Sequence, residues 1–214
     1  MKQIIYISLL GMLCVPSIAQ TFDDCALSYH KKYNKMNFEQ GRYLITRKTA
    51  DSLRHVLDTE LQGCILGKEL PPYRLIGLSG KVYTNEDLKG KVVVFNFWSV
   101  NCGPCVLEIP VLNKLYLSYK DNNDFVFISI LLEKEQELTT LLDKGLTKTR
   151  IAYEVIPDSK VIMKDTFKLI KAFPTNLFID KEGKIFMRTT GGIVDSKDEP
   201  KLEAKLRSII DHEL

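Results

Sequence analysis

The chain has few histidines. Its histidines are His30, His55 and His212, and none lies in a segment with paired cysteines, so a copper-binding or metallochaperone reading lacks its nitrogen ligands. One Cys-x-x-Cys occurs, at Cys102 and Cys105, and neither a second one nor a closely spaced His pair completes a zinc site. Val106 stands where a haem-attachment motif carries His. No metal or cofactor is therefore expected. Long apolar runs are also missing: Ile4–Val15 falls short of the ~20 residues that a spanning helix needs. Charge of one sign is not concentrated either. A formal net charge of +3, with no basic run and no basic-aromatic interleaving, excludes nucleic acid as a partner. Internal repeats and low-complexity segments are absent.

What is present fits one domain of ordinary size with an extension: 214 residues, 45% hydrophobic and 27% charged. The first apolar run follows Lys2 and leads into Pro16-Ser17-Ile18-Ala19, with small Ser17 and Ala19 at the −3 and −1 positions of a signal-peptidase site. Residues 1–19 read as a cleavable signal peptide and the mature chain as periplasmic or otherwise exported, an uncleaved membrane anchor being the alternative. Leu13 before Cys14 argues against lipidation, and the terminal Asp-His-Glu-Leu has the wrong letter order for a retention tag. Disulfides persist in an exported chain. Removing the leader leaves Cys25, Cys64, Cys102 and Cys105, an even number that suits two pairs.

The chain is organised around the stretch from Lys91 to Pro110. Its β-branched and aromatic start, Val-Val-Val-Phe-Asn-Phe-Trp98, predicts a strand buried on both faces. Cys102-Gly-Pro-Cys105 then opens an apolar helix. Two thiols at that spacing close a small disulfide ring, and the free N–H groups and dipole at a helix N-terminus favour a thiolate on the first. This is the chemistry of reversible disulfide exchange.

Before this stretch, residues 20–67 predict a helical extension. Phe22, Cys25, Ala26, Tyr29, Tyr33 and Met36 form one apolar stripe; Leu53, Val56, Leu57, Leu61 and Cys64 form another, with Thr49 as its cap and a turn near residues 37–42 between them. Cys25 and Cys64 lie on these stripes, either as a disulfide stapling the hairpin or as two buried small hydrophobes. Residues 68–214 predict alternating strands and helices that finish in a hairpin at Gly183 and an amphipathic helix. That order describes an α/β fold with a mixed central sheet flanked by helices.

From Leu66 onward the chain resembles the thioredoxin fold, in its exported TlpA/ResA-like branch of thiol-disulfide oxidoreductases. The resemblance rests on Gly67-Lys-Glu-Leu-Pro71, on Leu88 through Trp98, on Cys-Gly-Pro-Cys, Glu108 and Pro110, and on Phe173-Pro-Thr175 with Leu177-Phe-Ile-Asp180. It implies that Cys102 is the attacking thiolate, Cys105 the resolving thiol, Pro174 a cis-proline facing them before Thr175, and Trp98 the aromatic wall beneath the site. Two positions depart from cytoplasmic thioredoxins: Asn96 replaces a buried Asp on the central strand, and Asn101 replaces the Trp before the first Cys. Asn96 cannot take a proton. Glu108, one helical turn after Cys105, is the expected substitute, a carboxyl whose pKa a half-buried site would raise.

The expected activity is thus exported thiol-disulfide exchange on protein disulfide or thiol substrates, in the reducing direction, with a membrane electron donor implied. A disulfide oxidase or isomerase of the same fold is the rival. A peroxidase of the peroxiredoxin type would show a lone attacking Cys after Pro and Thr, which this stretch lacks. The substrate, the oligomeric state and the role of the extension are not legible from these residues.

Overall fold

Two threonines set the first elements. The Thr21 hydroxyl accepts from the Asp24 amide at 3.2 Å while the Asp24 carboxylate accepts from the Thr21 amide at 2.8 Å, a reciprocal box that starts α1 (Phe22–Gly41). Thr46 starts α2 (Arg47–Ile65) by accepting from the Thr49 amide at 3.1 Å. The cap expected at Thr49 is therefore three residues late, since Thr49 is the cap's own partner. α1 ends at Gly41, at the late edge of the turn expected near residues 37–42. The computed structural model describes residues 20–145 and 150–214, so the expected signal peptide at residues 1–19 lies outside it. Among the described residues no helix is long and apolar enough to cross a membrane.

A small antiparallel hairpin, β1 (Arg74–Ile76) and β2 (Val82–Thr84), precedes the main sheet. The main sheet has five strands in the order β5-β4-β3-β6-β7. β3 (Val92–Trp98) pairs in parallel with β4 (Phe125–Leu131), which pairs in parallel with β5 (Glu154–Ile156). On its other side β3 pairs antiparallel with β6 (Thr175–Ile179), and β6 with β7 (Ile185–Thr190). The hairpin between the last two turns at Gly183, whose φ of 85° an L side chain rarely adopts. β5 begins only at Glu154, because only residues from there reach β4 in register.

Every residue of β3 is buried, as its unbroken apolar run requires. Val93, Phe95 and Phe97 face one side, where α1, α2 and α5 (Lys160–Asp165) pack. Val92 and Val94 face the other, against α3 (Gly103–Tyr119) and α6 (Glu199–Glu213). α4 (Glu135–Asp143) closes a smaller cluster around Trp98. The result is the mixed sheet between helices of the thioredoxin fold, with the extension laid over one face.

The extension is held to the sheet by polar as well as apolar contacts. Phe22, Cys25, Tyr29 and Leu61 share one core with Phe95 and Leu177. Arg188 on β7, its side chain only 3% exposed, donates to Asp58 on α2 at 3.1 Å, and the Tyr29 hydroxyl donates to the same carboxylate oxygen at 3.1 Å. His30 meets the Lys168 carbonyl at 2.8 Å. Cys25 and Cys64 are bonded, tying the start of α1 to the last turn of α2.

Candidate active site

The site begins where β3 ends. After Trp98 the chain turns through Ser99, Val100 and Asn101, and a single carboxylate holds that turn. Glu133, just beyond β4, accepts from the Ser99 hydroxyl at 2.6 Å, the Val100 amide at 3.2 Å and the Asn101 side chain at 3.5 Å. The Asn101 amide donates back to the Ser99 hydroxyl at 3.1 Å. Both anchors stand at the carboxyl ends of parallel strands, where α/β sheets gather their functional loops.

Cys102 is the cap of α3. Its backbone is extended, its sulfur accepts from the Cys105 amide at 3.3 Å, and Pro104 sits in the first turn, where a missing N–H costs nothing. Cys102 and Cys105 are bonded. Cys102 is half-buried, whereas Cys105 is 3% exposed, packed with Trp98, Ile109 and Leu131. An incoming group therefore meets the sulfur of Cys102 first. Once reduced, that sulfur has the helix N-terminus and an amide donor to hold it as thiolate.

Behind the pair lies Glu108, on the same face of α3 as Cys105 because three residues make nearly one turn. It is 0% exposed, more deeply buried than the half-buried site expected, and neither carboxylate oxygen has a hydrogen-bond partner among the described residues. Burial pushes its pKa up to about 8, with the charge of Lys205 on α6 opposing the shift. At neutral pH this carboxyl is mostly protonated. The Tyr153 hydroxyl is pushed upward too, by burial first and then by the neighbouring Glu108 charge.

The opposite wall is the segment before β6. The Phe173–Pro174 peptide is cis. The Pro174 carbonyl accepts from the Gly191 amide at 2.9 Å, and the Thr175 hydroxyl donates to the Ala172 carbonyl at 2.8 Å. Gly192 closes the corner. A methyl group there would stand 2.8 Å from Glu108 Oε1 and 2.8 Å from Pro174 Cγ, so its missing side chain lets helix, proline and carboxyl meet.

The structure brings Cys102, Cys105 and Trp98 into one cluster, and Glu108 and Pro174 together around Gly192. Asn96 is placed elsewhere in its bonding: its side chain donates at 2.9 Å to Asn176 on β6, which donates in turn to Thr189, a cross-strand ladder. Cys25 and Cys64 lie in the extension, bonded to each other. Three residues are not singled out by the sequence alone. Glu133 carries one signal, its place directly after an apolar strand run. Gly192 carries a weaker one, as the second of two glycines where one suffices to break a strand. Lys205 carries none, since its nearness to Glu108 depends on how α6 crosses α3.

The AhpC/TSA family profile matches residues 66–187, starting just after the two helices of the extension. A thiol-disulfide oxidoreductase ResA of Bacillus cereus is 30% identical over 144 residues, covering 67% of this chain and 78% of the relative. A ResA of Bacillus thuringiensis subsp. konkukian is 31% identical over 157 residues, with the same coverage of 67% and 78%. Among solved structures, the thioredoxin domain of a thiol-disulfide oxidoreductase from Bacteroides vulgatus superposes with a TM-score of 0.52 at 25% identity, over 68% of this chain and 97% of that one.

Proposed function

The chain belongs to the AhpC/TSA family and is homologous to the ResA-type thiol-disulfide oxidoreductases, and from that footing we propose that it is an exported reductase of protein disulfides. The observation that carries this reading is a half-exposed Cys102 at a helix N-terminus joined to a buried Cys105, with a buried, largely protonated carboxyl one turn further on. Export is supported by the signal peptide read at residues 1–19.

In the reduced enzyme the Cys102 thiolate attacks one sulfur of a substrate disulfide. A Cys102–substrate bond forms, the substrate S–S bond breaks, and the departing sulfur takes a proton. Cys105 then attacks Cys102 Sγ, giving its proton to a nearby base as the mixed disulfide breaks and the second substrate sulfur leaves. In the neutral state Glu108 supplies a proton to a leaving thiolate; as carboxylate it accepts one from Cys105. The substrate gains two electrons and two protons, and the enzyme ends as the Cys102–Cys105 disulfide. A membrane electron donor restores the dithiol. Cis-Pro174, with no N–H of its own, leaves room for a substrate backbone beside the pair, and Trp98 and Thr175 hold that geometry.

Equilibration with glutathione buffers tests the direction. The pair should stay oxidised until the buffer is strongly reducing, near the potential of thioredoxin. A pair found mostly reduced in a mostly oxidised glutathione buffer would overturn the reductase reading in favour of an oxidase. Trapping with Cys105→Ala should accumulate mixed disulfides through Cys102, and their identity names the substrates.

A further inference from the structure

The outer edge of the main sheet is only partly covered. Along the start of β7, the linker after α2 adds itself as a short strand: the Gly67 amide donates to the Ile185 carbonyl and the Ile185 amide to the Lys68 carbonyl, both at 2.8 Å, and Glu69 bridges Lys184. The added strand stops there. Further along, the Gly191 amide bonds inward to Pro174, so by the alternation of an antiparallel ladder the backbone groups of Arg188 and Thr190 point outward. Among the described residues no other strand lies beside them, because β7 is outermost.

This open edge is the floor of a trench of about 800 Å³. One wall is α2 of the extension, fixed there by the Arg188–Asp58 pair and by a 3.4 Å contact from Gln62 to Met187. The other wall is α6, through Lys205 and Ile209. The trench ends at Thr190, whose hydroxyl lies 3.3 Å from that of Thr175, and Gly191-Gly192 then leads directly to Pro174 and Glu108. Its charges are unequal. Arg188 and Lys205 line it against one carboxylate, Asp58, which Arg188 and Tyr29 already engage, and Lys205 has no ion-pair partner among the described residues.

We propose that this trench seats an extended, acidic segment of the substrate polypeptide, added as a strand to the outer edge of β7 and running toward the cysteine pair. Backbone pairing with Arg188 and Thr190 supplies affinity that does not depend on sequence, while Lys205 selects acidic side chains. The inference rests on the reading that the substrates are polypeptides. It also gives the helical extension a role, because α2 turns a bare edge into a walled one. An edge left open where added strands otherwise invite aggregation is accounted for in the same way.

The test uses the oxidised chain, isotopically labelled, and two cysteine-free decapeptides, one alternating valine with glutamate and one alternating valine with lysine. The glutamate peptide should shift the Arg188 and Thr190 amides and bind about tenfold or more tighter than the lysine peptide. Methylating alternate backbone nitrogens of the glutamate peptide should weaken it by about tenfold in the register that faces β7 and little in the other. Lys205→Glu should reverse the order of the two peptides. Equal affinities, indifference to methylation, or shifts confined to other strands would overturn the proposal. The peptides carry no sulfur, so the outcome is separate from the redox reading: a chain that binds them as described yet leaves protein disulfides intact overturns the reductase assignment alone.

Discussion

Cys102 and Cys105 are three residues apart at the start of one helix, whereas Cys25 and Cys64 are 39 apart and join the start of one helix to the end of another. The electrostatics around the two bridges run in opposite directions. Cys102 has the positive end of α3 and an amide donor to hold a thiolate. Cys64 is in the last turn of α2, at the negative end, and Cys25 is buried directly after Asp23 and Asp24. Both features disfavour a thiolate in the extension. Loop closure separates them as well. Constraining the unfolded chain through the longer loop stabilises by about 4 kcal/mol, against about 2 kcal/mol for the small ring. One bridge is placed to exchange and the other to hold.

The sharpest way to break that contrast is to remove each bridge in turn. Cys102→Ser should abolish reduction of a protein disulfide, a loss on the order of a thousandfold or more, while costing about 2 kcal/mol in unfolding of the oxidised chain. Replacing Cys25 and Cys64 together by alanine should leave turnover within about threefold but cost about 2–4 kcal/mol in urea unfolding. Trp98, the single tryptophan and a neighbour of Cys105, reports both by fluorescence. Equal losses of activity from the two variants would end the distinction.

Glu108→Gln probes what surrounds the active bridge alone. Without a proton to exchange, disulfide reduction near pH 7 should slow by roughly 10–100-fold, and the limb of the pH–rate profile near pH 8 should vanish. Stability moves the other way. The folded-state pKa of Glu108 is raised from 4.5 to about 8, so its contribution is fully present below pH 4.5 and is lost as pH rises through 8. The glutamine variant should therefore gain on the natural chain across that window, by on the order of 4 kcal/mol at its alkaline end. The variant lacking Cys25 and Cys64 should show no such pH dependence relative to the natural chain. A pH-independent difference for Glu108→Gln would place that carboxyl in water.

The smallest effect is expected at Gly192→Ala. Its new methyl group must displace either Glu108 or Pro174 from 2.8 Å, which costs about 1–2 kcal/mol and should move the pH profile by a fraction of a unit while leaving the extension's bridge unaffected. Cys25–Cys64 should remain oxidised in dithiothreitol concentrations that open Cys102–Cys105, checked by alkylation and mass.

Local chemistry makes part of this legible in the sequence. The uninterrupted run before Trp98 announces a central strand, and the Cys-Gly-Pro-Cys spacing announces a helix start, because both signals are contained within a few neighbouring residues. The alternation of strands and helices after residue 68 points to the mixed sheet. Boundaries that depend on partners are less clear: Thr46 and Thr49 are equally good caps until the turn before them is known, and residues 151–155 look like a strand until the register with β4 selects Glu154. The supports of the site come from distant elements. Glu133, Gly192 and Lys205 reach the active turn, the proline and the buried carboxyl only after β4, β7 and α6 are in place. A pattern reading over adjacent residues has no access to such meetings.

The pairing of the cysteines also follows the order of the chain. The four cysteines among the described residues allow three connectivities, and the one found joins the first of them to the second and the third to the fourth. A ribosome, or a channel that threads the chain from its amino end, delivers Cys64 while Cys25 is the one cysteine of the described residues already out. Cys102 and Cys105 then emerge almost together, next to each other. Arriving in that order, each cysteine meets its own partner first, so these two bridges form without the rearrangement that crossed pairings would require.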